Sequence, residues 1–557
     1  MLSFTLQMKV MEIEMENKNN FFSRNAFLAN LTEEAIWDVI IVGGGATGLG
    51  TALDAASRGF KTLLLEQSDF AKGTSSRSTK LVHGGVRYLA QGDIALVNEA
   101  LRERGLLLNN APHIVKKQAF VIPCYEWWSE LKYLVGLTVY DWMAGKFRFG
   151  KSTFLGKEKV MQLLPTIKAK GLKGGVEYFD GQFDDARLAV NIAQTCAEKG
   201  GTVLNYVQVK GLLKANDGKI NGVLAYDLEN NREYKLNAKA VVNATGVFVD
   251  EILDMDTPAR KPLVKPSQGV HLVLDKSFLN GKKALMIPKT PDGRVLFAVP
   301  WHDHILLGTT DTPLTKHSLE PVALEEEIDF ILETVGRYLI FAPSRKDVLS
   351  VFAGLRPLAA TDNDSASTKE ISRSHKIFVS KSGLVTITGG KWTTYRKMAE
   401  DTIDKIIKVA GLPHATCTTA NLKIHGFLNY SEHSSLAIYG SDKVHILALV
   451  NIEPELGNNL HHKMPYIQAE VVWAVRNEMA RTVEDVLARR LRVLFLDARV
   501  AIEMAPQVAS LIAGELKLDE QWEKDQVNAF TELASHYLLE PYSVDQTEPV
   551  IKVKSTN

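Results

Sequence analysis

The feature that most constrains the fold is a glycine-rich turn between two apolar segments, within residues 38–66. Gly43, Gly45 and Gly48 form a Gly-x-Gly-x-x-Gly pattern after the first apolar segment, and a helix of small residues is predicted to follow. The second apolar segment ends at Glu66, 18 residues after the last glycine, a spacing typical of an acid that binds ribose hydroxyls. The pattern predicts a dinucleotide-binding βαβ unit, and a glycine-rich turn without a ligand is the alternative.

Each element of this unit has a physical role in binding a dinucleotide. Gly43 allows the tight turn, Gly45 lets backbone N–H groups approach a pyrophosphate, and Gly48 lets the helix pack closely on the strand. The N-terminus of the helix supplies partial positive charge to the phosphates. The three glycines and Glu66 are therefore the first predicted cofactor-binding residues.

Composition excludes several classes of function. The chain has 557 residues, of which 45% are hydrophobic and 23% charged, as is usual for a globular protein. This length exceeds what one hydrophobic core holds, so we expect more than one domain. Lysine plus arginine and aspartate plus glutamate number 65 each, which argues against a nucleic-acid partner. No run approaches about 18 apolar residues, so no transmembrane helix is predicted.

The cysteine and histidine patterns predict no disulfide framework and no metal site. Cys124, Cys196 and Cys417 lie far apart and form no Cys-x-x-Cys pair, which favours a reducing compartment. His302 and His304 belong to no recognisable set of metal ligands.

Alternation of strand-like and helical segments predicts an interrupted cofactor-binding domain. Its pieces alternate strands and helices: 38–115, 171–265 and 351–410. Two β-rich pieces between them are assigned to a substrate domain: 116–170 and 266–350. We expect a helical C-terminal domain over 411–557, and a disordered N-terminal extension over 1–35, which lacks the character of a signal peptide.

Two later glycine turns favour FAD over a nicotinamide cofactor. Thr245-Gly246 and Gly389-Gly390 follow strands predicted to join the same sheet, and their backbones would approach an extended ligand. A ligand that contacts widely separated parts of the chain suits FAD, which stretches across a domain. Taken singly, either turn also reads as an ordinary strand end.

Several motifs together identify a family resemblance. They occur in the family's order over about residues 38–400: IIVGGGATGLGTALDAASRG, TSSRSTKLVHGGVRYL, VNATGVFVD, WHDHILLGTTDTP, GLRPL and ITGGKWTTYRKMAE. With these motifs the chain resembles the FAD-dependent glycerol-3-phosphate dehydrogenases, flavoproteins of the glutathione-reductase and D-amino-acid-oxidase type. The resemblance implies an α/β fold: a split Rossmann-like FAD-binding domain, a β-rich substrate domain and an α-helical C-terminal cap. It also assigns a polar loop to the cofactor, through Thr74, Ser75, Ser78, His83, Gly84 and Gly85.

The implied substrate is sn-glycerol 3-phosphate, whose dianionic phosphate needs a cationic clamp. Arginine suits this role because its planar fork makes bidentate, charge-assisted hydrogen bonds to phosphate oxygens. The resemblance places Arg356 and Arg373 at the substrate phosphate, with Arg87, Tyr88 and Lys391 lining the same pocket. Any one of these arginines taken alone also reads as an ordinary surface residue.

Oxidation at C2 of this substrate also needs a base for the hydroxyl proton. The resemblance implies that His271 is this base, and that Lys391 and Arg356 belong to the catalytic set. We expect Lys391 to stabilise the developing alkoxide or the reduced flavin. A strand histidine at the edge of the core is the alternative interpretation of His271.

An aromatic segment, residues 125–150, bears on the electron acceptor and the location. It contains Trp127, Trp128 and Trp142 and reads either as a buried helix or as an interfacial helix on a membrane. We favour the membrane, and hence a cytoplasmic enzyme held peripherally on the inner face of the cell membrane that reduces a quinone. A homodimer is left open.

Three other functions remain open at this point. An oxidase that passes electrons to oxygen would carry the same motifs. An amine or amino-acid oxidase of the same fold would use an arginine for a carboxylate. A flavin-binding regulatory or scaffold protein is the non-enzymatic alternative.

Overall fold

A computed structural model describes residues 21–32, 36–89, 92–290, 293–359, 375–429 and 434–542. The described residues form 18 strands: β1 Ile36–Val42, β2 Thr62–Leu65, β3 Leu81–Val82, β4 Lys116–Cys124, β5 Thr153–Gly156, β6 Gly174–Gln182, β7 Thr202–Leu204, β8 Val207–Lys214, β9 Ile220–Asp227, β10 Arg232–Asn243, β11 Val264–Asp275, β12 Ala284–Ile287, β13 Leu296–Trp301, β14 His304–Gly308, β15 Thr312–Pro313, β16 Val348–Ala359, β17 Lys376–Val379 and β18 Val385–Thr388.

The same residues form 15 α-helices: α1 Arg24–Ala29, α2 Ala46–Ser57, α3 Val86–Leu89, α4 Ile94–Asn110, α5 Trp127–Ala144, α6 Lys157–Leu163, α7 Asp185–Glu198, α8 Val249–Asp256, α9 Glu325–Gly336, α10 Tyr395–Ala410, α11 Lys443–Ile452, α12 Gln468–Glu478, α13 Val493–Leu496, α14 Ala498–Leu516 and α15 Glu520–Ser535.

The first sheet is mainly parallel, and its order is β17-β18-β10-β1-β2-β7, with β8 and β9 in an antiparallel extension. β1 lies between β2 and β10, so that Val42 is opposite both Leu65 and Asn243. The strand β1 is buried almost throughout, as is usual for a parallel sheet with helices on its faces. This register brings the carboxyl ends of β1, β2, β10 and β18 to one edge of the sheet.

The second sheet has ten strands and is mainly antiparallel, with the order β15-β11-β14-β13-β12-β4-β6-β3. The long strands β11 and β16 pair across their whole length, with His271 opposite Phe352 and Ser267 opposite Arg356. Both β6 and β16 belong to this sheet, because antiparallel ladders join β6 to β4 and β16 to β11. Residues 174–182 and 351–359, which the sequence analysis placed in pieces of the cofactor domain, thus pair within the second sheet.

The N-terminal extension is folded over residues 21–32, which corrects the expectation of disorder for that stretch. Ser23 caps α1 by accepting a hydrogen bond from the Ala26 N–H. Phe22 is buried in the core of the first sheet. Arg24 donates to Asp227 at 2.6 Å in a buried ion pair. Residues 1–20 and 33–35 lie outside the described residues.

The C-terminal region is helical and joins the cofactor domain through buried charges. Its core contains side chains of α12, α13, α14 and α15. Arg490 binds Asp69 in a bidentate pair, at 2.7 and 2.9 Å, and both residues are fully buried. Burial alone would raise the pKa of Asp69, but the charges of Arg490 and Arg489 together hold it below its usual value. A buried charge left unpaired is strongly destabilising, so these pairs fix how the region docks.

The aromatic segment forms α5, which is partly exposed rather than fully buried. Leu131, Val135 and Trp142 are 65%, 56% and 81% exposed, whereas Leu137 and Tyr140 are buried. The side chains of Trp127 and Trp128 lie outside the described residues. In the described part of the chain, each helix is too short or too polar to cross a membrane.

Candidate active site

A cavity of about 470 Å³ lies where the carboxyl edge of the first sheet meets the β11–β16 face of the second sheet. Sixteen residues singled out from the sequence line it: Gly43, Gly45, Glu66, Thr74, Ser75, Ser78, His83, Gly85, Tyr88, Thr245, Gly246, His271, Arg356, Gly389, Gly390 and Lys391. Their positions span most of the chain, so the fold itself brings them together. In the described residues, His, Cys, Asp and Glu side chains do not gather into a group that would hold a metal ion.

The turn after β1 is shaped by the close approach of backbone to backbone. Gly43 has a φ of +111°, and a Cβ there would lie 2.7 Å from the Ala244 carbonyl oxygen. A Cβ at Gly48 would lie 1.9 Å from the Gly43 carbonyl oxygen, so Gly48 serves packing and does not line the cavity. Gly45 is the N-cap of α2 and faces the cavity. The N-terminus of α2 is therefore open to an anionic group.

Glu66 lies at the cavity, but its carboxylate also closes the glycine turn. It accepts hydrogen bonds from the Gly44 N–H at 2.6 Å and from the Ser68 N–H at 2.8 Å. Burial raises the pKa of Glu66, and the two N–H donors oppose that rise. The residue that the sequence assigns to a ribose thus also holds the pyrophosphate turn in place.

The two later glycine turns line the same cavity. Gly246 has a φ of +63°, and Gly389 and Gly390 have φ values of +80° and +78°. These values lie in the left-handed region that glycine adopts without strain. Together with the turn after β1, they bring backbone to three places along one cavity, as the sequence predicts for an extended ligand.

Most of the predicted cofactor-binding residues in the polar loop after β2 line the cavity. The Ser75 hydroxyl accepts from the Ala46 N–H at 2.9 Å, and the Ser78 hydroxyl donates to Asp185 at 2.7 Å. The Thr74 hydroxyl donates to a carbonyl of β16 at 2.6 Å. Gly84 does not line the cavity, since its N–H donates to the hydroxyl of Tyr140 in α5 at 2.8 Å.

Arg356 is held in the cavity wall by a set of oxygen acceptors. Its guanidinium donates to the Gln268 carbonyl at 3.2 Å and to the Thr310 carbonyl at 3.0 Å, and it pairs with Asp311 at 3.3 Å. The Arg356 side chain is 21% exposed. These contacts orient its planar fork while leaving part of it open to the cavity.

Lys391 is the second cation predicted from the sequence that lines the cavity. Its ammonium lies 3.7 Å from the centre of the Tyr88 ring, within the range of a cation–π contact. His83 lies close by, where its backbone N–H donates to the Thr393 hydroxyl at 3.1 Å. Arg373 and the side chain of Arg87 lie outside the described residues, so their assignments stay predictions.

His271 is buried at the boundary of the cavity and is only 2% exposed. Its ring stacks on Phe352 with the centroids 4.9 Å apart, and its Nε2 lies 2.9 Å from the hydroxyl of Thr79. Burial lowers the pKa of His271 well below 6.5, and the nearby charges of Lys80 and Arg356 lower it further. His271 is therefore neutral at ordinary pH and able to accept a proton.

Sequence reasoning missed two residues that touch the predicted catalytic set. Thr79 lies inside the quoted polar loop, and Asp311 lies inside the quoted WHDHILLGTTDTP stretch. Both contacts join residues that are far apart in the sequence: Thr79 and His271 are separated by 192 positions, and Asp311 and Arg356 by 45. The motifs signalled that these stretches mattered, but nothing local marked these two side chains.

Comparisons with known proteins agree with this geometry. A family model described as FAD dependent oxidoreductase matches residues 38–396, and one described as the C-terminal domain of alpha-glycerophosphate oxidase matches residues 384–523. The mitochondrial glycerol-3-phosphate dehydrogenase of Schizosaccharomyces pombe is 38% identical, over 89% of this chain and 87% of its own length. The chain belongs to the FAD-dependent glycerol-3-phosphate dehydrogenase family. The human mitochondrial relative is 39% identical, over 91% of this chain and 74% of its own.

A solved member of the family has the same overall fold. The glycerol-3-phosphate dehydrogenase from Bacillus halodurans, complexed with FAD, superimposes with a TM-score of 0.76 at 29% identity. The match covers 94% of this chain and 100% of that one. The comparisons confirm the predicted family, the α/β fold with its helical C-terminal region, and FAD as the cofactor of this dehydrogenase.

Replacing Gly45 with valine should abolish FAD binding in a folded protein. A Cβ at this position meets only the Ser75 hydroxyl, at 3.1 Å, so the backbone tolerates it while the side chain obstructs the approach to the turn. The purified variant is expected to be colourless, with circular dichroism like that of the wild type. Gly514→Val, in the open on α14, is the matched control and should stay yellow. A Gly45→Val protein with full flavin content would contradict the assignment of the turn.

Proposed function

We propose that this chain oxidises the C2 hydroxyl of sn-glycerol 3-phosphate to give dihydroxyacetone phosphate, and that the electrons pass to a quinone in the membrane. Oxidation of glycerol 3-phosphate with FAD follows from the family to which the chain belongs. The observation that carries the residue assignments is that His271, Arg356 and Lys391 line the same cavity as the glycine turns. An alcohol bound there would lie near the proposed base, the two predicted cations Arg356 and Lys391, and the glycine turns.

Arg356 and Lys391 are the groups that bind the substrate phosphate in this proposal. The Arg356 fork is already oriented by acceptors in the wall, so little conformational freedom is lost when it binds. Its ion pair with Asp311, at 3.3 Å, also orients the fork. Arg87, Tyr88 and Arg373 complete the proposed substrate-binding set.

His271 is the proposed base for the C2 hydroxyl proton. Its low pKa keeps the imidazole neutral, and Arg356, one of the cations that lower that pKa, lines the cavity where it can stabilise an alkoxide. When bound, FAD supplies the hydride acceptor. Lys391 adds a positive charge at the cavity, where negative charge develops on the substrate oxygen as the proton leaves.

The exposed face of α5 supports a membrane location and therefore a quinone acceptor. Leu131, Val135 and Trp142 recur at helical spacing on this face. A short apolar face with an exposed tryptophan is typical of a helix that lies in the interface of a bilayer. We therefore propose peripheral attachment to the inner face of the cell membrane, where a lipid-soluble quinone is within reach.

The acceptor is tested by reducing the enzyme anaerobically with glycerol 3-phosphate and then following reoxidation. We expect the flavin absorbance to bleach with this substrate and to return rapidly on addition of a soluble quinone analogue. Mixing with air-saturated buffer should reoxidise the flavin far more slowly. Faster reoxidation by oxygen than by quinone would identify an oxidase, and bleaching by amino acids alone would exclude the proposed substrate.

Arg356→Ala and His271→Ala should separate binding from chemistry. Arg356 contacts the phosphate before and during the reaction, so its loss should raise the apparent KM by roughly tenfold to several hundredfold. Arg356→Lys keeps the positive charge but lacks the planar guanidinium, so its apparent KM should lie between those of the wild type and Arg356→Ala. His271 acts as the proton leaves, so its loss should slow flavin reduction by about 10²–10⁴. Arg476→Ala, which removes an exposed arginine paired with Glu515, is the control.

The pH dependence gives a second check on His271. Because only the neutral imidazole accepts a proton and its pKa lies well below 6.5, wild-type reduction should stay constant as pH falls through 6.5. The rate should decline only in more acidic buffer, and His271→Ala should lack that decline. A decline centred near 6.5, or one that persists in the alanine variant, would show that another group is the base.

Replacing Leu131, Val135 and Trp142 together with serine should release the enzyme from membranes. These side chains are exposed, so their replacement should not disturb the core, and FAD content should be unchanged. In a liposome flotation assay, the wild type should rise with the liposomes, whereas the triple variant should stay in the bottom fraction of the gradient. The control changes Val444 and Leu447 on α11, which are 58% and 40% exposed, and should still float. If both variants float, another surface attaches the chain.

A further inference from the structure

The base proposed above is almost closed off from the cavity by a hydroxyl group. His271 is 2% exposed, whereas Thr79 is half-buried and lines the cavity beside it. The Thr79 hydroxyl lies 2.9 Å from Nε2 of His271. The other ring nitrogen, Nδ1, is buried and has no hydrogen-bond partner among the described residues. Within that part of the chain, the hydroxyl of Thr79 is thus the polar group through which the ring meets the cavity.

The imidazole has little freedom to turn towards a substrate directly. Phe352 stacks on it at an interplanar angle of 17°. On the neighbouring strand, a Cβ at Gly308 would lie 2.3 Å from Cδ2 of His271, so the ring fills the space that a larger residue would need. The close packing keeps Nε2 directed at Thr79.

Thr79 is itself held by its neighbours on both sides. Lys80 adopts a φ of +60°, and its fully buried ammonium donates to Asp185 at 2.8 and 3.0 Å and to the Ser76 carbonyl at 2.6 Å. The Ser78 hydroxyl donates to the same carboxylate at 2.7 Å. Arg492, from the C-terminal helical region, adds a further donor to Asp185 at 3.0 Å. A residue between two such anchors keeps its hydroxyl at one position.

We propose that Thr79 is a catalytic proton relay between the substrate hydroxyl and His271. This proposal rests on the proposed function, since it takes His271 as the base. The substrate O–H bond breaks as its proton bonds to Oγ of Thr79, while the proton that Thr79 carried bonds to Nε2 of His271. The C2 hydrogen leaves with its electron pair to FAD, the oxidant of the family's reaction, so that the alcohol becomes a ketone. Threonine regains its hydroxyl proton in the same step and is unchanged.

The relay is tested by comparing Thr79→Val with Thr79→Ser. Valine has the shape of threonine without the hydroxyl, whereas serine keeps the hydroxyl. Thr79→Val should slow anaerobic flavin reduction by about 10²–10⁴, the range for loss of a positioned proton-transfer group. Thr79→Ser should stay within about threefold of the wild type. The solvent deuterium isotope effect on reduction should change in the valine variant and persist in the serine variant.

Two readouts separate a relay from a structural role. FAD content and the dissociation constant for dihydroxyacetone phosphate, measured by flavin difference spectra, should be unchanged in both variants. Thr402→Val removes a buried hydroxyl that bonds the Met398 carbonyl at 2.7 Å, and it controls for loss of any threonine hydroxyl. Equal losses in the valine and serine variants, or loss of FAD in either, would assign Thr79 a structural role and overturn the relay.

The remaining outcomes distinguish this inference from the proposed function. If Thr79→Val reduces its flavin at the wild-type rate while His271→Ala does not, the substrate reaches His271 directly and the relay is wrong. If His271→Ala is itself as fast as the wild type, the proposed base is wrong, and the relay falls with it. Slow reduction in both Thr79→Val and His271→Ala, with Thr79→Ser intact, is the result that the relay requires.

Discussion

The parallel pairing of β1 between β2 and β10 is the constraint on which the rest of the structure depends. Because Val42 lies opposite both Leu65 and Asn243, the turns that follow these strands emerge at the same edge of the sheet. The glycine at position 43 can approach Ala244 only in this register. A shift of either neighbour by one residue would turn its side chains to the opposite face of the sheet and separate the turns that form the cofactor site.

The second sheet places the proposed substrate-binding groups against that edge. His271 and Arg356 lie on the adjacent strands β11 and β16. The residue opposite Arg356 is four positions from His271 along β11. Their positions in the chain are distant from the glycine turns, and the interrupted fold returns to the cofactor domain twice. The result is one cavity that the proposed base and the proposed phosphate-binding cations line together with the glycine turns.

The C-terminal helical region takes part in the site without lining it. Among the described residues, the lining of the cavity ends at Thr393. Arg492 nevertheless reaches Asp185, which holds the loop that carries Thr79. The ion pair between Arg490 and Asp69 fixes this docking. Both side chains are buried, so water could not solvate either charge if the pair were broken. The helical region that the sequence analysis treated as a separate cap thus supports the loop that carries the proposed relay residue.

Local pattern by itself determined the dinucleotide unit, since the turn from Gly43 to Gly48 and the apolar strands that flank it are short-range features. Family motifs predicted the cofactor and marked His271 and Arg356. Only the tertiary structure decided that β6 and β16 join the second sheet, that residues 21–32 are folded, and that Thr79 meets His271. Those outcomes depend on strand pairing and ion pairs between residues far apart in the chain, and such contacts leave no periodic signal in the sequence around either partner.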